Sequence, residues 1–283
     1  MNIGIVGLGL IGGSLGLDAR SLGFRVLGVS RQESTCRIAR ERGAVDEAGT
    51  GLEILADADL VFLCPPIDLI VPTLERLVPY LKPSAIVTDV GSVKSAIVAP
   101  CSRLWPNFVG SHPMAGTAEQ GIASAQFNLF VNAPYVITSI ESTPAFAVEI
   151  LTEFVKKLGC RVYHCTPEAH DRAVAWISHL PVMVSAGLIK ACAGEKEADI
   201  LELAKNLASS GFRDTSRVGG GNPELGLMMA HHNRTALLAS LREYRENLDG
   251  IISAIEGENW TELEAILQFT RQARPDFVRA IES

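Results

Sequence analysis

A chain of 283 residues, 47% hydrophobic and 20% charged, is long enough to bury the cores of two ordinary domains. Its net charge of −7, with lysines and arginines spread rather than clustered, gives no electrostatic footprint for nucleic acid. Six cysteines with neither C-x-x-C spacing nor a disulfide-rich pattern, and no basic segment leading into a signal-type apolar run at the N-terminus, point to a cytoplasmic protein rather than a secreted one.

The first strand is expected over 2–6, and it runs into Gly7-Leu8-Gly9-Leu10-Ile11-Gly12. A helical stretch over 14–22 and a second strand over 25–29 complete a dinucleotide-binding unit. The three glycines act differently. Gly7 makes the tight turn, Gly9 lets the backbone approach a pyrophosphate, and Gly12 lets the helix pack on the strand. The second strand ends in Ser30-Arg31-Gln32-Glu33-Ser34-Thr35 with no carboxylate at its tip. Hydroxyls from Ser30, Ser34 and Thr35 and the guanidinium fork of Arg31 suit the 2'-phosphate of NADP; the alternative is that Glu33 swings in to take the ribose of NAD. The cofactor candidates are therefore Gly7, Gly9, Leu10, Ile11, Gly12, Ser30, Arg31, Ser34, Thr35 and, ending the third strand, Cys64.

Further strands are expected over 60–64, 85–88, 108–110, 135–138 and 161–164, the last two an edge extension, with helices in the gaps. The alternation predicts an α/β fold with a doubly wound, Rossmann-type parallel sheet. From Thr166-Pro167-Glu168, a helix start with proline and an acid in its first turn, strand signals vanish. Helices are expected over 173–193, interrupted at Pro181, and over 200–210, 224–256 and from about 260. The stretch 173–189 reads as a buried core helix too short to span a bilayer. Residues 1–165 are thus expected to form an NADP-binding domain and 166–283 an all-helical substrate and dimerisation domain. Helices apolar on every side need more cover than this half supplies, which implies a homodimer.

In open α/β sheets ligands bind beyond the carboxyl ends of the strands, which singles out Cys64-Pro65-Pro66, Asp89 to Lys94, and Gly110 to Thr117. His112 is the acid/base candidate, against a histidine satisfied by loop carbonyls. Ser92 holds His112 or a substrate hydroxyl, or else caps a helix. Lys94 is a proton donor or a solvated first-turn residue. His179, inside an apolar helix, is a core histidine satisfied at the Pro181 kink or a ligand contact. Gly211-Phe212-Arg213-Asp214-Thr215-Ser216-Arg217 outlines an anion site, unless its arginines are spent on Asp214. His170, His231 and His232 have no metal-ligand spacing, and no metal is expected.

The segments Gly7 to Ser14, Asp89 to Lys94, Gly110 to Gly116, Ser178-His179-Leu180-Pro181 and Gly211 to Arg217 together resemble, in order and over nearly the whole chain, the prephenate and arogenate dehydrogenases of tyrosine biosynthesis. The overall sequence looks closest to the short cyanobacterial arogenate dehydrogenases, which use NADP. The resemblance implies oxidative decarboxylation of L-arogenate to L-tyrosine, or of prephenate to 4-hydroxyphenylpyruvate. It implies that His112 accepts the C4 hydroxyl proton, Ser92 orients that hydroxyl or His112, Arg217 binds a substrate carboxylate, and His179, Arg213 and Thr117 lie along the same cleft. Two rivals stay open: an NADP-linked β-hydroxyacid dehydrogenase or imine reductase with Lys94 as proton carrier, and a non-catalytic NADP-sensing regulator.

Overall fold

The computed structural model describes residues 1–117 and 119–282, with side chains described as far as residue 278. Eight strands form one sheet: β1 (Asn2–Val6), β2 (Arg25–Val29), β3 (Glu47–Gly49), β4 (Leu60–Leu63), β5 (Ile86–Asp89), β6 (Phe108–Pro113), β7 (Pro134–Thr138) and β8 (Arg161–Cys165). Helices α1 (Leu10–Ser21), α2 (Glu33–Glu41), α3 (Ile67–Leu77), α4 (Ser95–Leu104) and α5 (Ala145–Lys157) connect them. The spatial order is β3-β2-β1-β4-β5-β6-β7-β8. The first six are parallel, in the doubly wound order whose direction reverses between β1 and β4. β7 runs antiparallel to β6, and β8 parallel to β7, which makes the pair an edge extension. The central strands are Val, Ile and Leu runs buried along their length, as a sheet covered by helices on both faces requires.

Two strands differ from the sequence expectation. β3 has no signal of its own: Glu47-Ala48-Gly49 carries no β-prone side chain, and it pairs with Leu27 to Val29 through the backbone, helped by an ion pair between Glu47 and Arg25. β6 continues three residues beyond Gly110, so His112 sits opposite Val136 on a paired strand instead of in a loop.

Beyond β8 lie α6 (Pro167–Val174), one π turn (Ala175–His179), α7 (Leu180–Ala193), α8 (Ala198–Leu207), α9 (Ser210–Ser216), α10 (Pro223–His232), α11 (Arg234–Glu256) and α12 (Trp260–Glu282). The helix does not break at Pro181. The π turn precedes it and relieves the clash of the proline ring with the carbonyl four residues back, so helical chain continues from Pro167 to Ala193. By length and apolar composition this run could cross a membrane, which corrects the expectation that it is too short. Its polar residues His170, Asp171 and His179 are, however, buried against other parts of this chain. Nor is the run a core helix. Within α7 only Leu180 and Ser185 are buried, and Trp176 and Ile177 are 48% and 56% exposed. The described residues form two compact units, one of Met1–Asn233 and one beginning at Arg234. The first takes in α6 because that helix is tied by Asp171 to the start of α4.

Candidate active site

The glycine turn has the geometry its spacing predicts. Gly7 has φ +99°, and a Cβ there would meet the backbone of Cys64 at 2.8 Å. A Cβ on Gly12 would lie 2.1 Å from the Gly7 carbonyl oxygen, which is why α1 can pack so closely on β1. A Cβ on Gly9 would point into open space. Gly9 is the N-cap of α1 with no side-chain cap, so the first N–H groups of the helix, at Leu10 and Ile11, have no intrahelical acceptor and face an anion-ready end. This end opens on a cavity of about 480 Å³ lined by Gly7, Gly9, Ser30, Arg31, Thr35 and Cys64, a volume suited to a cofactor. Leu10, Ile11 and Gly12 do not line it with side chains, and Ser34 lies exposed on α2 outside it. Thr50 after β3 and Arg76 on α3 join the lining, and neither stands out in the sequence. Glu33 leans toward Arg40 at 3.5 Å, whereas Arg31 and Arg76 form no ion pair among the described residues. Burial, with Asp89 nearby, pushes the Cys64 thiol far up, so it borders the cavity as a neutral group.

Under the carboxyl ends of β5 and β6 lies a buried ionic cluster. Asp89 accepts from the backbone N–H of Gly91 at 2.8 Å and of Ser111 at 3.1 Å. It also pairs with the Lys94 ammonium, which donates to the Ser111 carbonyl at 2.6 Å. Lys94 is fully buried, and burial draws it below the ordinary lysine value against the pull of Asp89. It is not a solvated first-turn residue; it braces the strand that carries His112.

His112 Nδ1 stands 2.9 Å from Nε2 of His170 on α6, and His170 Nδ1 stands 2.8 Å from Asp171 Oδ1. Asp171 also accepts from the N–H of Lys94 at 2.7 Å and of Ser95 at 2.8 Å, and so caps α4 from another helix. Burial pushes this carboxyl up, but the hydrogen bonds from His170, Ser95 and Lys94 outweigh it and hold it below the usual carboxylate range. Burial first, then His170, Lys94 and His179, push His112 well below the ordinary histidine value. It is a neutral imidazole, bonded to a histidine and not to loop carbonyls.

His179 enters the same cluster from the π turn. Asn233 donates its side-chain N–H groups to the Asp171 carbonyl at 2.7 Å and to His179 Nδ1 at 3.1 Å. With Nδ1 accepting, the His179 proton resides on Nε2, and that nitrogen is buried without a partner. Burial lowers His179 to a pKa of about 4. Ser92 Oγ is likewise buried and unpartnered. It neither bonds His112 nor caps α4, since Asp171 has taken the cap. An orphaned polar atom on His179, which acts on the neutral His112, marks a place prepared for a polar ligand.

The remaining candidates lie apart from these contacts. Thr117 is exposed and accepts from the Glu119 N–H at 3.2 Å. Arg213 is exposed and paired with Asp214 at 3.0 Å, the bland alternative for that residue. Arg217 is exposed and has no ion pair among the described residues. Asp68, His231 and His232 do converge, with ligand-type atoms within 4.8 Å of one another. Spacing could not show this grouping because Asp68 comes from α3. Sequence reasoning misses His170, Asp171 and Asn233 as site residues for a similar reason: only the fold brings them to His112 and His179.

The nucleotide-binding-domain model of prephenate dehydrogenase matches residues 15–164, and the dimerization-domain model of the same family matches residues 166–269. A crystal structure of arogenate dehydrogenase from Synechocystis is 60% identical, with a TM-score of 0.90 over 98% of this chain and 100% of that one. A prephenate dehydrogenase from A. aeolicus, solved in complex with hydroxyphenyl propionate and NAD+, is 25% identical with a TM-score of 0.92 over 98% of each chain. The prephenate dehydrogenase of Bacillus subtilis is 31% identical over 90% of this chain and 70% of its own length.

Proposed function

The chain belongs to the prephenate dehydrogenase family, and on that premise we propose that it converts L-arogenate to L-tyrosine by oxidative decarboxylation with NADP. The observation that carries the reading is the neutral His112 at the end of β6, coupled to His179, whose Nε2 is buried without a partner. The 60% identity to the Synechocystis arogenate dehydrogenase supports arogenate over prephenate. Arg31 and Arg76, with no ion pair among the described residues while Glu33 is turned to Arg40, support NADP over NAD.

NADP would be held by the α1 N-terminus, through Gly9 and the N–H groups of Leu10 and Ile11, and by Ser30, Arg31 and Thr35; when bound it supplies the hydride acceptor. His112 takes the C4 hydroxyl proton at Nε2 as hydride leaves C4. The ring carbonyl so formed accepts the electron pair released when the C1 carboxylate departs as carbon dioxide, and the ring becomes aromatic. Ser92 Oγ orients the hydroxyl, and His179 donates from Nε2. Arg217 binds a substrate carboxylate, with Thr117 along the same cleft and Arg213, tied to Asp214, in a supporting position only. Residues 1–165 carry the nucleotide and 166–283 the substrate and a homodimer contact, and the reaction takes place in the cytosol.

The test follows NADPH and carbon dioxide with arogenate and prephenate in parallel, each with NADP and NAD. Turnover of arogenate with NADP is expected. Preference for prephenate moves the substrate, preference for NAD moves the cofactor, and cofactor binding without turnover of either compound removes the enzyme reading. In His112→Asn, turnover is expected to fall roughly 10²- to 10⁴-fold, the worth of a general base; near-normal turnover returns the base to another group.

A further inference from the structure

We propose that His170 and Asp171 are positioning residues for His112, forming a relay in which the carboxylate fixes the tautomer of one histidine and that histidine fixes the tautomer of the next. The proposal rests on the reading of His112 as the base. An ionised carboxylate only accepts hydrogen bonds, and Asp171 already takes two backbone N–H groups. His170 Nδ1 must therefore donate to it across 2.8 Å. With Nδ1 as the donor to Asp171, Nε2 is the nitrogen of His170 that can accept, and it is this atom that lies 2.9 Å from His112 Nδ1. His112 must carry its proton on Nδ1, which leaves Nε2 bare. One ionised carboxylate thus fixes which nitrogen of His112 can take a proton.

The relay acts again when His112 becomes charged. Its Nδ1–H bond to His170 turns charge-assisted, and the charge of Asp171 stands one imidazole away. Burial, any positive charge on the His170 ring, Lys94, itself paired with Asp89, and His179 all oppose protonation of His112. Asp171 is the carboxylate linked to the base by hydrogen bonds. The three side chains are buried, so solvent does not screen the arrangement. They also come from separate elements, β6 and the start of α6, so the relay exists only when α6 is docked on the sheet.

A merely structural role would make His170 a packing histidine and Asp171 a cap. The two roles separate in pH profiles of kcat and KM measured on the full-length enzyme. In His170→Leu, which leaves the Asp171 cap in place, kcat is expected to fall on the order of 10²- to 10⁴-fold, as when an orienting partner of a catalytic histidine is lost, with NADP binding unchanged. In His170→Gln, whose Oε1 can accept from His112 Nδ1–H, part of kcat should return, with the acid limb of the profile shifted to lower pH because the link to Asp171 is cut. Asp171→Asn should shift that limb the same way and also lower the melting temperature. Wild-type kcat and an unmoved acid limb in His170→Leu overturn the relay. Comparison with His112→Asn separates the two claims: if that variant keeps turnover, the base reading fails and the relay with it, whereas an inactive His112→Asn beside a wild-type His170→Leu sinks the relay alone.

Discussion

Ser92 and His179 carry polar atoms that the folded chain buries and leaves unsatisfied. Each costs stability, since a buried polar atom without a partner forfeits its hydration. Ser92→Ala removes one such atom, so its melting temperature should equal or exceed that of the wild type while turnover drops. A variant that loses both stability and turnover would show that the hydroxyl has a structural partner. The histidines set the pH response. His179 titrates at about 4 in the folded chain against an ordinary 6.5, so the unfolded chain binds the extra proton first as pH falls. Stability is therefore full above about pH 6.5 and is lost as pH drops toward 4, by about 3 kcal/mol for a shift of this size. His112 is displaced in the same direction and adds to the loss. Unfolding titrations of wild type and His179→Gln between pH 7 and pH 4.5 check this: the variant should have the shallower slope, and parallel slopes would refute a buried neutral His179. The acid limb of kcat/KM should also lie below the ordinary histidine value, because His112 is already neutral there.

Among the elements, the cofactor cavity is assembled from the β2–α2 loop and from α3, with Arg31 on the first and Arg76 on the second. If both meet the 2'-phosphate, Arg76→Ala should raise KM for NADP by roughly 10- to 100-fold, the worth of a charged hydrogen bond, and leave that for NAD alone. An equal rise for both cofactors would make Arg76 a general wall of the cavity. Gly12→Ala is the matching stability test. Its Cβ would lie 2.1 Å from a backbone oxygen, so α1 must lift off β1, at about 1–3 kcal/mol for overpacking. Gly7, Gly9, Gly12, Arg31 and His112 are legible in the sequence because their constraints are local: a turn, a helix start, a strand end. Most strands are legible for the same reason, through apolar runs between turn residues. Arg76, Thr50, His170, Asp171 and the strand β3 are not, because each matters through something distant in the chain. Asp171 reads locally as an ordinary acid within α6, and only the approach of α6 to α4 makes it the cap of a different helix. The π turn before Pro181 is hidden too: a proline in a helical pattern signals a break, and the extra residue that absorbs the clash has no composition of its own.

For the molecule as a whole, the apolar surface is the unsolved quantity. In the first unit Trp176, Ile177, Leu203, Leu207 and Leu227 are each about half exposed or more. In the second unit α11 buries only Leu237, Ser240 and Ala254 along 23 residues, and Leu267, Phe269 and Phe277 of α12 face outward. Burying one such side chain stabilises by about 1.5–3 kcal/mol, so a second copy laid over several of them would supply a large fraction of ordinary domain stability. The match of residues 166–269 to a dimerization domain supports that cover. The chain is expected to sediment as a dimer at micromolar concentration, and a monomer there rejects the assignment. Leu203→Glu with Leu207→Glu, both exposed on α8, which buries no residue, should shift the equilibrium toward monomer. The cofactor cavity is lined from within residues 6–122 of one chain, so NADP affinity should survive the shift. Arg217 and the glycine loop that follows lie in the helical part with little cover of their own, so KM for the substrate should rise as dimer is lost. Isothermal titration with NADP beside substrate kinetics on the same preparation checks the split. A monomeric variant with unchanged substrate KM would mean that one chain completes the substrate site unaided, and the surplus apolar surface would then serve stability alone.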